Sequence, residues 1–122
     1  MKNILIIEDN KEIALQMEKY LVNNGYEVEI ASSFYEASYK MNVDMDVALL
    51  DINLPDKEGQ HLIERLKDKD IRVIVTTVKN DEDFIIDALD QGADDYLTKP
   101  FSLAILRARI DAVLRTIPLS QD

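Results

Sequence analysis

Short apolar runs recur at near-regular intervals along this chain, and a helix-period pattern follows each one. The runs are ILII (4–7), YEVEI (26–30), VALL (47–50), RVIVT (72–76) and DYLT (95–98), all of strand length and rich in β-branched and aromatic residues. The first, third and fourth are apolar almost throughout, which suits central parallel strands covered on both faces. YEVEI alternates and DYLT is short with polar flanks, so both suit sheet edges.

The helix signals fall between and after the runs. Asn10 is placed to cap a helix with Ile13, Met17, Tyr20 and Leu21 inward, stopped at Asn24 and Gly25. Ser33 and Glu36 have capping-box spacing, with Ala37 and Met41 inward. Residues 59–69 carry Leu62, Ile63 and Leu66. Asn80 or Asp81 starts a helix with Ile85, Ala88 and Leu89 inward, ended by Gly92. Ser102 caps the last helix, whose inner face is Leu103, Leu106, Ile110, Val113 and Ile117. Strict strand–helix alternation predicts an α/β fold: a parallel sheet with right-handed crossovers and helices on both faces. The 122 residues suffice for one domain, expected over residues 1–117, with 118–122 a tail or the start of a linker.

In open α/β sheets, sites lie beyond the carboxyl ends of the strands. The positions just past the runs hold Glu8 and Asp9, then Asp51, then Thr76 and Thr77, then Lys99. If the first and third strands are neighbours, three carboxylates crowd one spot and must be neutralised. Lys99 is one counterion, and a divalent cation is the natural second. Mg²⁺ takes hard oxygen ligands, and Glu8, Asp9, Asp51 and a backbone carbonyl near Asn53 match that demand. With no cysteine in the chain and no histidine at these positions, zinc is disfavoured. A carboxylate beside Mg²⁺, an ammonium and a hydroxyl also has the parts for phosphoryl acceptance, with Asp51 as nucleophile. Singly, Asp9 reads as a helix cap, Thr77 as a strand-end residue and Lys99 as a surface charge. Together, on successive rim positions of one sheet, they are hard to obtain by accident.

The net charge of −10 repels phosphate backbones and anionic lipid, so this stretch is not expected to bind DNA or membrane itself. The opening MKNILIIEDN has too short an apolar run for a signal peptide or a spanning helix, which needs ~20 apolar residues. A cytoplasmic location is expected.

The segments IIEDN, LLDINLPDKEG, VIVTT and GADDYLTKPF, in this order and spacing, resemble the receiver domain of two-component response regulators over essentially the whole chain. The resemblance implies a flavodoxin-like (βα)5 doubly wound sheet with strand order 2-1-3-4-5. It places Asp51 on the phospho-acceptor, Glu8 and Asp9 on the acids that bind Mg²⁺ (or Mn²⁺), and the Asn53 carbonyl on a third protein ligand. Thr77, rather than Thr76, matches the switch hydroxyl, Tyr96 the switch aromatic and Lys99 the phosphate-contacting lysine. It implies a sensor histidine kinase as phosphodonor, and self-catalysed transfer with slow hydrolysis rather than turnover of an external substrate. GADDYLTKPFS followed by an arginine-bearing helix resembles the OmpR type, in which a C-terminal winged-helix domain binds DNA. That effector is absent from this sequence, and a stand-alone receiver is the alternative. Phosphorylation adds roughly −1.5 to −2 charges beyond the third strand. Thr77 is then expected to move toward the phosphoryl group and Tyr96 to rotate inward, rearranging the helix 4–strand 5–helix 5 face.

Two features depart from the pattern. Val78 stands where the family usually has alanine. On the homodimer face expected through helix 4, strand 5 and helix 5, Asp95 and Arg109 fit one intermolecular salt bridge. Ile85 and Ile105 are apolar where a second pair would stand, and Asp90 and Asp111 would oppose acid to acid. His61 reads as a surface helix residue.

Two other functions fit the fold class. A flavin-binding protein would need a phosphate-welcoming loop after the first strand, where EDNKE is acidic. An aspartate-dependent phosphatase would want a second aspartate two residues after the nucleophile, where Asn53 stands.

Overall fold

A computed structural model describes residues 2–42 and 44–116. The elements are β1 (Asn3–Ile7), α1 (Lys11–Asn23), β2 (Glu27–Ala31), α2 (Phe34–Lys40), β3 (Val47–Leu50), α3 (His61–Asp68), β4 (Arg72–Thr77), α4 (Glu82–Asp90), β5 (Asp95–Thr98) and α5 (Leu103–Leu114). The five strands form one parallel sheet in the order β2-β1-β3-β4-β5, as expected. Ile117, expected on the inner face of α5, and the 118–122 tail lie outside the described residues.

Strand parity divides the core in two. Leu5, Ile7, Ala48, Leu50, Val73 and Val75 face α2, α3 and α4, where Phe34, Ala37, Leu62, Ile63, Leu66 and Ala88 cover them. Ile4, Ile6, Val47, Leu49 and Ile74 face α1 and α5, under Met17, Leu21, Leu106 and Ile110. β1 and β3 are buried on both faces along their apolar runs, whereas β2 and β5 are partly exposed edges.

The local signals act largely as read. The Asn10 side chain accepts the Ile13 N–H at 3.1 Å, and Ser102 Oγ accepts that of Ile105 at 3.2 Å. Gly25, at φ 93°, turns the chain out of α1 as only glycine does without strain. Two details differ. Ser33 Oγ caps the Glu36 N–H at 3.0 Å, but Glu36 reaches back to the Ser32 N–H at 2.6 Å instead of that of Ser33. On α4, Leu89 is 43% exposed rather than inward. Phe84 and Ala88 make the contact with the core, and Ile85 is half-buried.

Candidate functional site

The sheet order makes β1 and β3 neighbours, so Glu8 and Asp51 leave adjacent strand ends on one rim. Asp51 is anchored by its N–H, which donates to the Ile7 carbonyl at 2.9 Å. Glu8 is anchored the same way on the other side, to the Ala31 carbonyl at 2.9 Å. Glu8 is 2% exposed and Asp51 5%, while Asp9 stands exposed at the mouth. One carboxylate oxygen from each of Glu8, Asp9 and Asp51 lies within 4.8 Å of the others.

Lys99 arrives from the end of β5 and bridges the two buried acids. Its Nζ donates to Asp51 Oδ2 at 2.9 Å and to Glu8 Oε1. Burial works to lower the Lys99 pKa, but the bonds to Glu8 and Asp51 outweigh it and hold the ammonium above its ordinary value. Burial pushes the Glu8 carboxyl above the usual range. Lys99 and the Asn10 N–H pull it down, and Asp51 pushes it further up. Three carboxylates facing one ammonium leave a local excess of negative charge. A set of hard oxygen donors with that excess fits a small divalent cation, so the residues present suit the Mg²⁺ expected from the sequence.

β4 supplies the hydroxyl, and parity decides which one. Thr77 shares the face of Val73 and Val75, the side on which Tyr96 packs, whereas Thr76 falls on the opposite face. Thr77 is fully buried, and its Oγ1 accepts the Lys79 N–H at 3.4 Å. Tyr96 is partly buried against the same core, and its hydroxyl donates to the Lys79 carbonyl at 2.7 Å. Burial, then the charges of Asp81 and Asp51, raise the Tyr96 pKa and keep the donor protonated. Both ends of the Lys79 residue are thus held, one by Thr77 and one by Tyr96. Lys79 carried no signal in the sequence, because its part is played by its backbone.

Gly59 was legible only as a helix start. A Cβ there would stand 2.5 Å from the Asp51 carbonyl oxygen and 3.1 Å from the Ile52 Cα. Gly59→Ala is expected to destabilise the fold by roughly 1–3 kcal/mol, because the atom met is backbone and cannot swing away. Urea unfolding checks the figure, and an unchanged midpoint would contradict the close approach.

Among the described residues, clefts open on the site from two directions. One of about 420 Å³ lies between α1 and α2 and reaches Glu8 and Asp9. The other, about 410 Å³, is lined by Ile13, Met17, Val78, Lys99, Phe101 and Leu103. Val78 is 62% exposed at this second mouth. Asn53 is exposed in the loop after β3, and its N–H donates to Asp51 Oδ1 at 3.0 Å.

Several residues considered for a dimer face have partners within this chain. Arg109 pairs with Asp95 of its own chain at 3.2 Å. Asp111 is engaged by Arg107 at 2.6 Å and by the Tyr26 hydroxyl. Asp90 and Ile105 are exposed. His61 is exposed at the start of α3.

Comparison with known proteins gives a consistent picture. The profile of the family described as response regulator receiver domain matches residues 4–111. The transcriptional regulatory protein KdpE of Staphylococcus aureus is 42% identical over 121 residues, covering 98% of this chain and 52% of that protein. The virulence transcriptional regulatory protein PhoP of Salmonella typhimurium is 35% identical over 118 residues, covering 94% of this chain and 53% of that protein. This chain therefore spans about half the length of the curated relatives it matches. Among solved structures, a two-component response regulator from Clostridium difficile superposes with a TM-score of 0.89 at 32% identity, covering 95% of this chain and 98% of that one.

Proposed function

This chain belongs to the response regulator receiver family, of the OmpR type, and on that premise we propose that Asp51 accepts a phosphoryl group from a sensor histidine kinase. The observation that supports this most is the meeting of Asp51 with Glu8, Asp9 and Lys99 at one strand-end rim. An Asp51 carboxylate oxygen attacks phosphorus as the bond to the donor's imidazole nitrogen breaks. The electron pair leaves with the imidazole. Lys99, already on Asp51, is placed to bond a phosphoryl oxygen, and Thr77 contributes its hydroxyl. A Mg²⁺ or Mn²⁺ held by Glu8, Asp9, Asp51 and the Asn53 carbonyl would offset charge on the transferring group. Slow hydrolysis of the acyl phosphate resets the domain. The protein is a signalling module rather than an enzyme with an external substrate.

The output runs through Lys79. Drawing Thr77 Oγ1 toward the phosphoryl group withdraws the acceptor from the Lys79 N–H, while Tyr96 keeps hold of the carbonyl. Tyr96 is already partly buried. The response is therefore a re-seating of the β4–α4 loop around Tyr96 more than a long swing of its ring. A homodimer through α4, β5 and α5 would use the apolar Ile85 and Ile105, and Asp95 and Arg109 would exchange their internal pair for one across the two-fold axis. Engagement of Asp111 by Arg107 and Tyr26 removes much of the expected repulsion with Asp90. The relatives named as transcriptional regulators support a C-terminal DNA-binding effector, and no described helix is long and apolar enough to cross a membrane.

Incubation with Mg²⁺ and acetyl phosphate, followed by weighing the intact protein, tests the reading. It predicts a gain of one phosphoryl group, dependent on the cation. A bound yellow cofactor or turnover of an external phosphoester would overturn it. In the same assay, Val78→Ala should speed labelling, hydrolysis or both by a few-fold, because a β-branched side chain at the cleft mouth gives way to a methyl. Identical rates would remove Val78 as a gate.

A further inference from the structure

Residues 52–59 form the loop that carries Asn53 and returns the chain past Asp51. The loop is fixed from within by the N–H groups of Leu54 and Gly59, which share the Ile52 carbonyl at 3.1 and 2.7 Å. Residues 55–58 are exposed, yet the Asp56 side chain reaches from them to the start of α2. Asp56 Oδ1 accepts the Phe34 N–H at 2.9 Å, and its Oδ2 accepts the Tyr35 N–H at 3.1 Å. Ser33 Oγ takes the Glu36 N–H. The opening N–H groups of α2, which have no partner inside the helix, are therefore satisfied by side chains, two of them by a residue from the Asp51 loop. A carboxylate also suits the positive end of the helix. Next to it, the Lys57 ammonium lies 4.9 Å from the centre of the Phe34 ring.

The far end of this clamp is anchored in the core and to β2. Phe34 and Ala37 are buried in the core, and Lys40 Nζ donates to the Ile30 carbonyl at 2.6 Å. The contacts close a ring. β1 is held to β2 through the Glu8 N–H, and β2 runs into α2 through Ser32 and Ser33. Asp56 ties α2 to the loop, and the loop returns through Asp51 to the Ile7 carbonyl of β1. Glu8 and Asp9 sit on one side of the ring, Asp51 and Asn53 on the other. We infer that Asp56 is a positioning residue that holds these two halves of the cation and phosphoryl site in register while touching no reacting atom. The inference rests on the phosphoryl-accepting function proposed above.

The test compares Asp56→Ala with Ser33→Ala in the full chain. Both remove a cap from α2, but only the first frees the loop. Mg²⁺ affinity is read by calorimetry without a phosphodonor, and amide exchange is followed over residues 34–36 and 52–59. Asp56→Ala should quicken exchange in both segments and weaken Mg²⁺ binding about tenfold, as loss of an outer support typically does. Labelling by acetyl phosphate should fall at low Mg²⁺ and recover at saturating Mg²⁺. Ser33→Ala should quicken exchange in α2 alone and leave Mg²⁺ affinity unchanged. Asp56→Asn, which keeps one acceptor oxygen, should lie between. Wild-type Mg²⁺ affinity in Asp56→Ala, or equal weakening in Ser33→Ala, would overturn the inference while leaving the function standing. A wild-type chain that neither binds Mg²⁺ nor takes up phosphoryl would overturn both.

Discussion

Asp51→Asn should show no mass gain from acetyl phosphate and Mg²⁺ under conditions that label the wild-type chain. The substitution is nearly isosteric. The amide oxygen can still accept the Asn53 N–H now held by Oδ1 at 3.0 Å, and the backbone bond to Ile7 is untouched. The chemistry is lost, because the amide cannot act as the nucleophile that forms an acyl phosphate. Far-ultraviolet circular dichroism should therefore match the wild type while labelling is absent. Mg²⁺ affinity should fall as well, since one of three carboxylates has gone. Labelling of Asp51→Asn at the wild-type rate would move the nucleophile to another residue.

Lys99→Ala should have the largest effect on stability. The lysine bridges Glu8 and Asp51, whose side chains are 2% and 7% exposed. Removing it leaves two buried carboxylates facing each other, at a cost of about 3–5 kcal/mol near neutral pH. The deficit should depend on pH in a definite direction. Burial and Asp51 raise the Glu8 pKa, and Lys99 is the largest influence lowering it. Without Lys99 the folded-state pKa rises further above the unfolded one. The penalty is then absent at acid pH, where Glu8 is protonated in both states, and grows as pH climbs through the raised folded value. Mg²⁺ should restore more stability to Lys99→Ala than to the wild type, because it neutralises the same pair. Labelling should still fall by roughly 10²–10³-fold, since the ammonium that meets the phosphoryl oxygen is gone. Chemical denaturation across pH, with and without Mg²⁺, checks the first part. A deficit that is flat with pH would contradict the charge argument.

The sequence was most legible where one local rule decides. Alternation of apolar runs with helix-period segments gives the strand count and layering, because a central parallel strand has no choice but to be apolar on both faces. Glu8, Asp51, Lys99 and the pair Thr76 and Thr77 were legible for a related reason: the ends of such strands meet on one rim, so position along the chain becomes position in space. What escaped was set by contacts between distant segments. Leu89 fits the helical period of an inner stripe, yet Phe84 and Ala88 fill that space first. Gly59 looks like any helix-start glycine until the Asp51 backbone passes beside it. Asp56 reads as an ordinary turn residue after Pro55, and its bonds to α2 reach 22 and 21 positions back along the chain. Asp111 accepts from the hydroxyl of Tyr26, 85 positions back along the chain, a contact that no local pattern foretells.

Borohydride reduction of the protein after incubation with acetyl phosphate and Mg²⁺ addresses the central claim most directly. An aspartyl phosphate is reduced to homoserine, so peptide sequencing reports which carboxylate carried the phosphorus. Homoserine at position 51, formed only when Mg²⁺ is present, is the predicted result. Homoserine at another acid, or none at all from a folded, Mg²⁺-bound chain, would contradict it.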